Sequence, residues 1–242
     1  MERQLAWEWS GQRSALSGGR DSTFYFYCKR LMDLVLATLM LVFLLPLMLL
    51  VAILIRLDTP GPVFFVQERV GAKRRSEGGR TTWKVENFCV RKFRSMVANA
   101  DQSVHQAHIK AFVEGSIETT DMDKSKFKLK ADPRVTQIGR ILRKTSLDEV
   151  PQLFNVIKGE MSLVGPRPVP TYEVAEYQPQ HHERLAALPG ITGLWQVMGR
   201  SQVSFEEMIA IDIDYVRSRS LWLDIKILFL TIPAVLSGRG AD

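Results

Sequence analysis

Residues 31–55 read LMDLVLATLMLVFLLPLMLLVAILI, with Asp33 the only charge. At about 1.5 Å rise per residue this stretch makes a helix of roughly 37 Å, long enough to cross a bilayer. A core helix of a water-soluble domain is apolar along one stripe; this one is apolar all round. Phe24, Tyr25, Phe26 and Tyr27 precede it, as aromatics do at a membrane boundary. The stretch is therefore read as membrane-inserted. Lys29 and Arg30 lie at one end, and Arg56, Arg69, Lys73, Arg74 and Arg75 lie beyond the other. Positive residues mark the cytoplasmic side, and here both ends are positive. Pro46 removes a backbone donor just past the middle. Two topologies stand: a re-entrant helix broken at Pro46, and a straight span with its N-terminus outside. The charge at both ends favours the first.

Working outward, residues 1–25 lack the short apolar core and small-residue cleavage site of a signal peptide and are read as a mobile tail. The 242 residues suffice for one sizeable domain or two small ones. A net charge of +6 calls for an anionic partner: nucleic acid, anionic lipid or a phosphorylated substrate. No nucleic-acid-binding motif accompanies the charge, so no nucleic-acid partner is expected. Cys28 and Cys89 are the only cysteines, which excludes a disulfide framework or a cysteine-rich zinc site and fits a reducing compartment.

After the apolar stretch, Asp58-Thr-Pro-Gly-Pro is a sharp exit. Val63–Val66 and Phe88–Arg94 are two short strand-prone runs, expected to pair as a hairpin with the polar insert Lys73–Arg80 as its loop. Residues 69–94 hold nine Lys or Arg. The plain reading of these is attraction to anionic lipid. The sharper one is that Arg69, Lys92 and Arg94 hold substrate phosphates. Met96–Glu114 reads as a polar helix bearing His105 and His108 on its surface, and residues 115–130 as a polar loop.

Residues 143–168, RKTSLDEVPQLFNVIKGEMSLVGPRP, carry the chemistry. Ser146-Leu-Asp-Glu matches a helix capping box, so Glu149 can be read as a cap alone. Equally, Asp148 and Glu149 lie at a helix start beside Arg143 and Lys144, where positive potential keeps a carboxylate ionised. An ionised carboxylate is a nucleophile or a Mg²⁺ ligand. The flanking prolines present Arg167 with little freedom left to lose, suited to a phosphate or a planar base.

Downstream, residues 172–188 read as a helix with surface histidines His181 and His182. Residues 189–200 read as a loop whose glycines admit a ligand close to the backbone. Phe205–Arg219 is amphipathic, with Met208, Ile211 and Tyr215 inward. Residues 222–236 are apolar but short for a span, and are read as lying in the membrane interface, with Trp195 and Trp222 at headgroup depth.

The run KTSLDEVPQLFNVIKGEMSLVGPRP closely resembles the signature of the bacterial sugar transferases, small monotopic phosphoglycosyl transferases. The resemblance extends upstream to LDTPGPVFFVQERVG and KFRSM, and downstream to PGITGLWQVMGR and YVRSRSLWLDIKIL, all in family order over roughly residues 26–240. It implies transfer of a sugar-1-phosphate from a UDP-sugar to undecaprenyl phosphate with release of UMP. The polymer served would be exopolysaccharide, capsule or O-antigen. The resemblance makes Asp148 the nucleophile of a phosphosugar–aspartyl intermediate and Glu149 its dyad partner. Mg²⁺ would be held by Asp148 and Glu149. Arg143, Arg167 and Arg200 match basic positions suited to phosphate or uridine, and Asp224 also matches, with a structural role equally open. Pro46 matches the proline at which the family's re-entrant helix breaks, although Leu45 stands where many relatives have Ser.

The implied architecture is α+β and mainly helical: a tail (1–25), a re-entrant membrane helix (26–58), and a catalytic region (59–240) with interfacial amphipathic helices and a small β-hairpin. The implied setting is the bacterial inner membrane, with the catalytic region on the cytoplasmic face. Membrane lipid, downstream glycosyltransferases and a second copy of the chain are the expected partners. The competing class is a non-enzymatic adaptor that binds anionic lipid through the basic patch.

Overall fold

The computed structural model describes residues 23–77, 80–101, 103–114, 132–198 and 203–236. Residues 1–22 of the expected tail (1–25) and the polar loop at 115–130 lie outside the described residues, as does Arg200.

The apolar stretch forms α1, Thr23–Asp58, which begins three residues before the expected boundary. It is one uninterrupted helix, and Pro46 lies within it. The expected break is therefore not an end to the helix. Strong helix formers surround the proline, and only one intrahelical bond depends on its missing N–H. α1 packs through a single long stripe: Tyr25, Lys29, Asp33, Ala37, Met48, Val51 and Ile55 are buried. Its other faces carry large apolar side chains in the open, including Val42 at 67% and Phe43 at 85% exposure.

The chain then forms an antiparallel hairpin, β1 (Phe64–Glu77) and β2 (Arg80–Phe93), in register from Phe64 opposite Phe93 to Glu77 opposite Arg80. Lys73, Arg74 and Arg75 were expected in a loop but belong to the strand. A cross-strand pairing of Lys73 and Arg75 with Glu86 supports that distal half. The helix expected from Met96 is shorter: α2 spans Ser103–Val113, and Met96 instead bridges Val135.

α3 (Gln137–Thr145), a 3-10 helix (Leu147–Gln152) and α4 (Leu153–Lys158) follow almost without a break. This run lies against α1. Arg30 donates to the carbonyls of Val156 and Ile157 near one end of α1, and Ile138 N–H donates to Asp58 at the other. β3 (Ser162–Val164) pairs in parallel with β4 (Gly190–Thr192). The helix expected over 172–188 is instead α5 (Thr171–Val174) and a 3-10 helix (Pro179–Leu185). Pro179 fits the first position of the second piece and disfavours helix in the residue before it. His181 is buried there rather than exposed, and bonds Glu206. α6 (Leu194–Met198), α7 (Phe205–Ser218) and α8 (Leu221–Leu236) complete the chain. Ser204 and Glu207 form a reciprocal capping box on α7.

One core joins Ala37 of α1 with Leu153, Val156, Met161, Val164, Tyr215 and Ile227. α8 leaves Trp222, Phe229 and Ile232 exposed. Trp195, in contrast, is buried within the protein. Asp224 lies inside this assembly, accepting from Lys29 Nζ at 2.9 Å, Tyr25 Oη at 3.0 Å and Tyr215 Oη at 2.7 Å. It ties α8 to α1 and α7 and is not among the residues that line the cleft described below.

Candidate active site

Asp148 and Glu149 occupy the first turn of the 3-10 helix Leu147–Gln152. Ser146, just before them, has φ 57° and makes no side-chain cap. The capping-box reading of Ser146 and Glu149 is thus corrected. In the left-handed conformation Ser146 closes α3, with its N–H donating to the carbonyls of Leu142 and Arg143. The Glu149 side chain points elsewhere. Its Oε1 accepts from Lys92 Nζ at 2.7 Å and from Arg167 Nη2 at 3.2 Å.

Three elements deliver these cations. Lys92 comes from β2, whose position over α4 is fixed by buried Asn155. The Asn155 side chain donates to Cys89 O and accepts from Arg91 N–H. Arg167 comes from the Pro-Arg-Pro segment after β3. Arg143 comes from the last turn of α3. Burial lowers the Lys92 pKa, opposed by Glu149 and reinforced by Arg167 and Arg69. Burial likewise lowers Arg69 to about 10.

The dyad lies in a cleft of about 430 Å³. Lys92, Arg143 and Arg167 line one part of it, with Asp148 and Glu149. Met40 of α1 and Leu228, Thr231, Ala234 and Val235 of α8 line another. A smaller cavity of about 10 Å³ lies between Arg69, Lys92, Glu149 and Arg167, room for about one water. Four cations against two carboxylates leave a net positive site, suited to a multiply charged anion.

The structure thus brings together Asp148, Glu149, Lys92, Arg143 and Arg167, with Arg69 behind them. Arg69 directs its guanidinium to Gln67 Oε1 and Pro168 O. Arg94 is elsewhere: buried, it donates to the carbonyls of Ile55, Thr59 and Pro60 at the end of α1. Of the glycines at 189–200, Gly190 and Gly193 have protein backbone at close range, and Gly199 lies outside the described residues. A Cβ on Gly190 would lie 2.1 Å from Gly165 N, and one on Gly193 2.4 Å from Gly165 O. The α8 wall was not anticipated as part of the site. Its signal is Thr231, a hydroxyl in an apolar run, spaced three and four residues from Leu228 and Val235.

The dyad sets two carboxylates on the cleft wall, and among the described residues no group of three or more His, Cys, Asp or Glu could hold a metal. That donor set fits Mg²⁺, which binds through one or two carboxylates and completes its shell with substrate phosphates and water.

The family model described as "Bacterial sugar transferase" matches residues 24–238. The chain is 41% identical over 213 residues to the exopolysaccharide production protein ExoY of Sinorhizobium fredii, covering 88% of this chain and 87% of that one. It is 41% identical over 215 residues to the undecaprenyl-phosphate galactose phosphotransferase of Salmonella typhimurium, covering 89% of this chain and 42% of the relative. Identity is 39% over 224 residues to the undecaprenyl-phosphate glucose phosphotransferase of Komagataeibacter xylinus, covering 88% of this chain and 36% of the relative. The chain therefore spans most of the first relative and about two fifths of the other two.

Proposed function

Because this chain belongs to the bacterial sugar transferase family, we propose that it transfers a sugar-1-phosphate from a UDP-sugar to undecaprenyl phosphate and releases UMP. The observation that carries this reading is the two-natured cleft. Its cationic part suits a nucleotide diphosphate, and its apolar wall, built from α1 and α8, suits a polyprenyl chain. The carboxylate pair lines the same cleft, bonded through Glu149 to Lys92 and Arg167.

In the proposed reaction an Asp148 carboxylate oxygen attacks the β-phosphorus of the UDP-sugar. The bond from that phosphorus to the bridging oxygen breaks, and UMP leaves with the electron pair. A phosphate oxygen of undecaprenyl phosphate then attacks the same phosphorus and displaces Asp148, giving the undecaprenyl diphosphate sugar. Phosphoryl transfer depends mainly on in-line placement and neutralised charge. Lys92 and Arg167 hold Glu149, and Asp148 beside it is the nucleophile in this reading. Arg143 lines the same wall and meets the diphosphate. When bound at the dyad, Mg²⁺ would neutralise charge on the diphosphate.

The setting we propose is the cytoplasmic face of the bacterial inner membrane, with α1 entering the bilayer and both its ends on one side. This step opens synthesis of a surface polysaccharide, to which downstream glycosyltransferases add sugars. The test is UMP release by purified protein given Mg²⁺, undecaprenyl phosphate and a panel of UDP-sugars. At least one donor is expected to turn over. Asp148→Asn is expected to abolish release, and acceptor-free wild type to show the mass of one added phosphosugar on Asp148. Undiminished turnover by Asp148→Asn would sink the mechanism, and no turnover by wild type with any donor would favour the lipid-binding adaptor.

A further inference from the structure

The arm that carries Arg167 is held in an unusual way. Four consecutive carbonyls, residues 166–169, each accept a hydrogen bond from outside the segment. Pro166 O accepts from Gly190 N at 2.8 Å, and Val169 O from Val70 N at 2.8 Å. Between these two backbone ties lie two side-chain ties: Arg184 Nη2 to Arg167 O at 3.5 Å, and Arg69 Nη1 to Pro168 O at 3.1 Å. Pro166 and Pro168 have no N–H to offer, so the carbonyls are the main handles on this backbone.

Arg184 is 1% exposed and lines neither cavity. It is gripped from three sides. Asp212 Oδ2 lies 2.5 Å from Nη2, Glu173 Oε1 lies 3.6 Å from Nη1, and Nη1 donates to the Tyr177 hydroxyl. Tyr177 in turn donates to Glu173 at 3.0 Å. α5, the Pro179–Leu185 helix and α7 each contribute to this knot. Burying two carboxylates and a guanidinium is a poor route to stability, since apolar replacement of such groups is often neutral or better. The cost makes sense if the guanidinium must stand at one point.

We propose that Arg184 is a positioning residue for the transfer reaction, holding the Arg167 carbonyl so that the Arg167 guanidinium meets Glu149 and the substrate anion. Asp212, Glu173 and Tyr177 fix Arg184, and Arg184 fixes the arm. A lysine at 184 keeps the charge but cannot reach Asp212, Tyr177 and the Arg167 carbonyl together.

This inference rests on the reaction proposed above, so the experiment has two arms. In the first, Arg184→Lys is measured in the wild-type and Arg167→Ala backgrounds, using the best UDP-sugar with undecaprenyl phosphate. In the wild-type background kcat is expected to fall about tenfold, with the KM for the sugar nucleotide within about twofold. In the Arg167→Ala background the same change is expected to cost less than about twofold, the signature of residues acting as one unit. Equal losses in both backgrounds would show a merely structural role and overturn the proposal. The second arm needs no turnover. Hydrogen exchange of the full-length protein is followed on the peptide spanning residues 163–169. Arg184→Lys is expected to speed exchange there about tenfold while α4 stays protected; unchanged exchange overturns the clamp even if the reaction itself proves wrong. Should Arg184→Lys not fold, Asp212→Asn removes the anchor and leaves the guanidinium, with the same outcomes read.

Discussion

Glu149 Oε1 lies between Lys92 at 2.7 Å and Arg167 at 3.2 Å, so the charge state of the site depends on a half-buried ammonium. Burial lowers the pKa of Lys92, with Arg167 and Arg69 adding to the effect against Glu149. Two consequences have opposite sign. As pH rises through this lowered pKa, the folded protein releases a proton that the unfolded chain still holds. On this account stability rises with pH in that window. Activity moves the other way, because Glu149 loses one of its cations. The rate of UMP release is therefore expected to show an alkaline fall below the ordinary lysine range of about 10.5. Lys92→Arg should shift that fall upward, and Lys92→Gln should lower the rate and flatten the profile. An alkaline limb unchanged in Lys92→Gln would assign it to another group. The charged members of the site were legible one by one as basic residues beside a carboxylate pair. Their convergence was not, because Lys92 reaches Glu149 through the long-range packing of β2 on the carboxylate turn, with buried Asn155 bonding β2 from α4.

Among elements, the end of α1 shows where reading the sequence falls short. Arg94 belongs to the same basic cluster as Lys92 and looks equally fit for phosphate. Two residues along a strand should place both side chains on one face, but β2 ends at Phe93, and Arg94 turns to the carbonyls at the C-terminus of α1. Nothing local in the sequence fixes how far β2 runs. The same holds at Ser146: its S-x-x-E spacing is that of a cap, yet the left-handed turn that ends α3 directs Glu149 away from it. The long apolar helix and the existence of the hairpin were legible because each is set by short-range pattern. The distal hairpin and the split of 171–185 were not, since tertiary partners decide them. Arg94→Ala is expected to leave three carbonyls without a charged donor and to lower stability by about 3 kcal/mol. Thermal unfolding in detergent would measure it. UMP release by the folded fraction is expected to stay within about threefold of wild type. A variant of unchanged stability that no longer binds UDP-sugar would return Arg94 to the substrate.

At the scale of the molecule, the contacts at the two ends of α1 make a prediction about the topology of residues 31–55. Near its start Lys29 pairs with Asp224 and Arg30 caps α4; near its end Asp58 holds Ile138, and Arg94 holds the carbonyls of Ile55 and Thr59. Ile138 and Ile157 belong to one continuous run, α3 to α4, that accompanies α1 along its length. That run carries Arg140, Arg143, Lys144, Asp148, Glu149 and Lys158. If α1 crossed the bilayer, these charges would be carried into it, each costing about 2.5–3.5 kcal/mol or more near the centre. The lower-energy arrangement keeps the run at the membrane surface, with both ends of α1 on the same side. The open faces of α1, with Val42 and Phe43, and of α8, with Phe229 and Ile232, then turn to lipid. In a background with Cys28→Ser and Cys89→Ser, single cysteines from Ser22→Cys and Thr59→Cys test this. An impermeant thiol reagent is expected to label both in inside-out vesicles and neither in intact spheroplasts. Labelling of Ser22→Cys from outside, with Thr59→Cys labelled only from inside, would establish a straight span instead. The charged run would then have to leave α1, so the contact between Arg30 and the carbonyls of Val156 and Ile157 could not persist in the membrane.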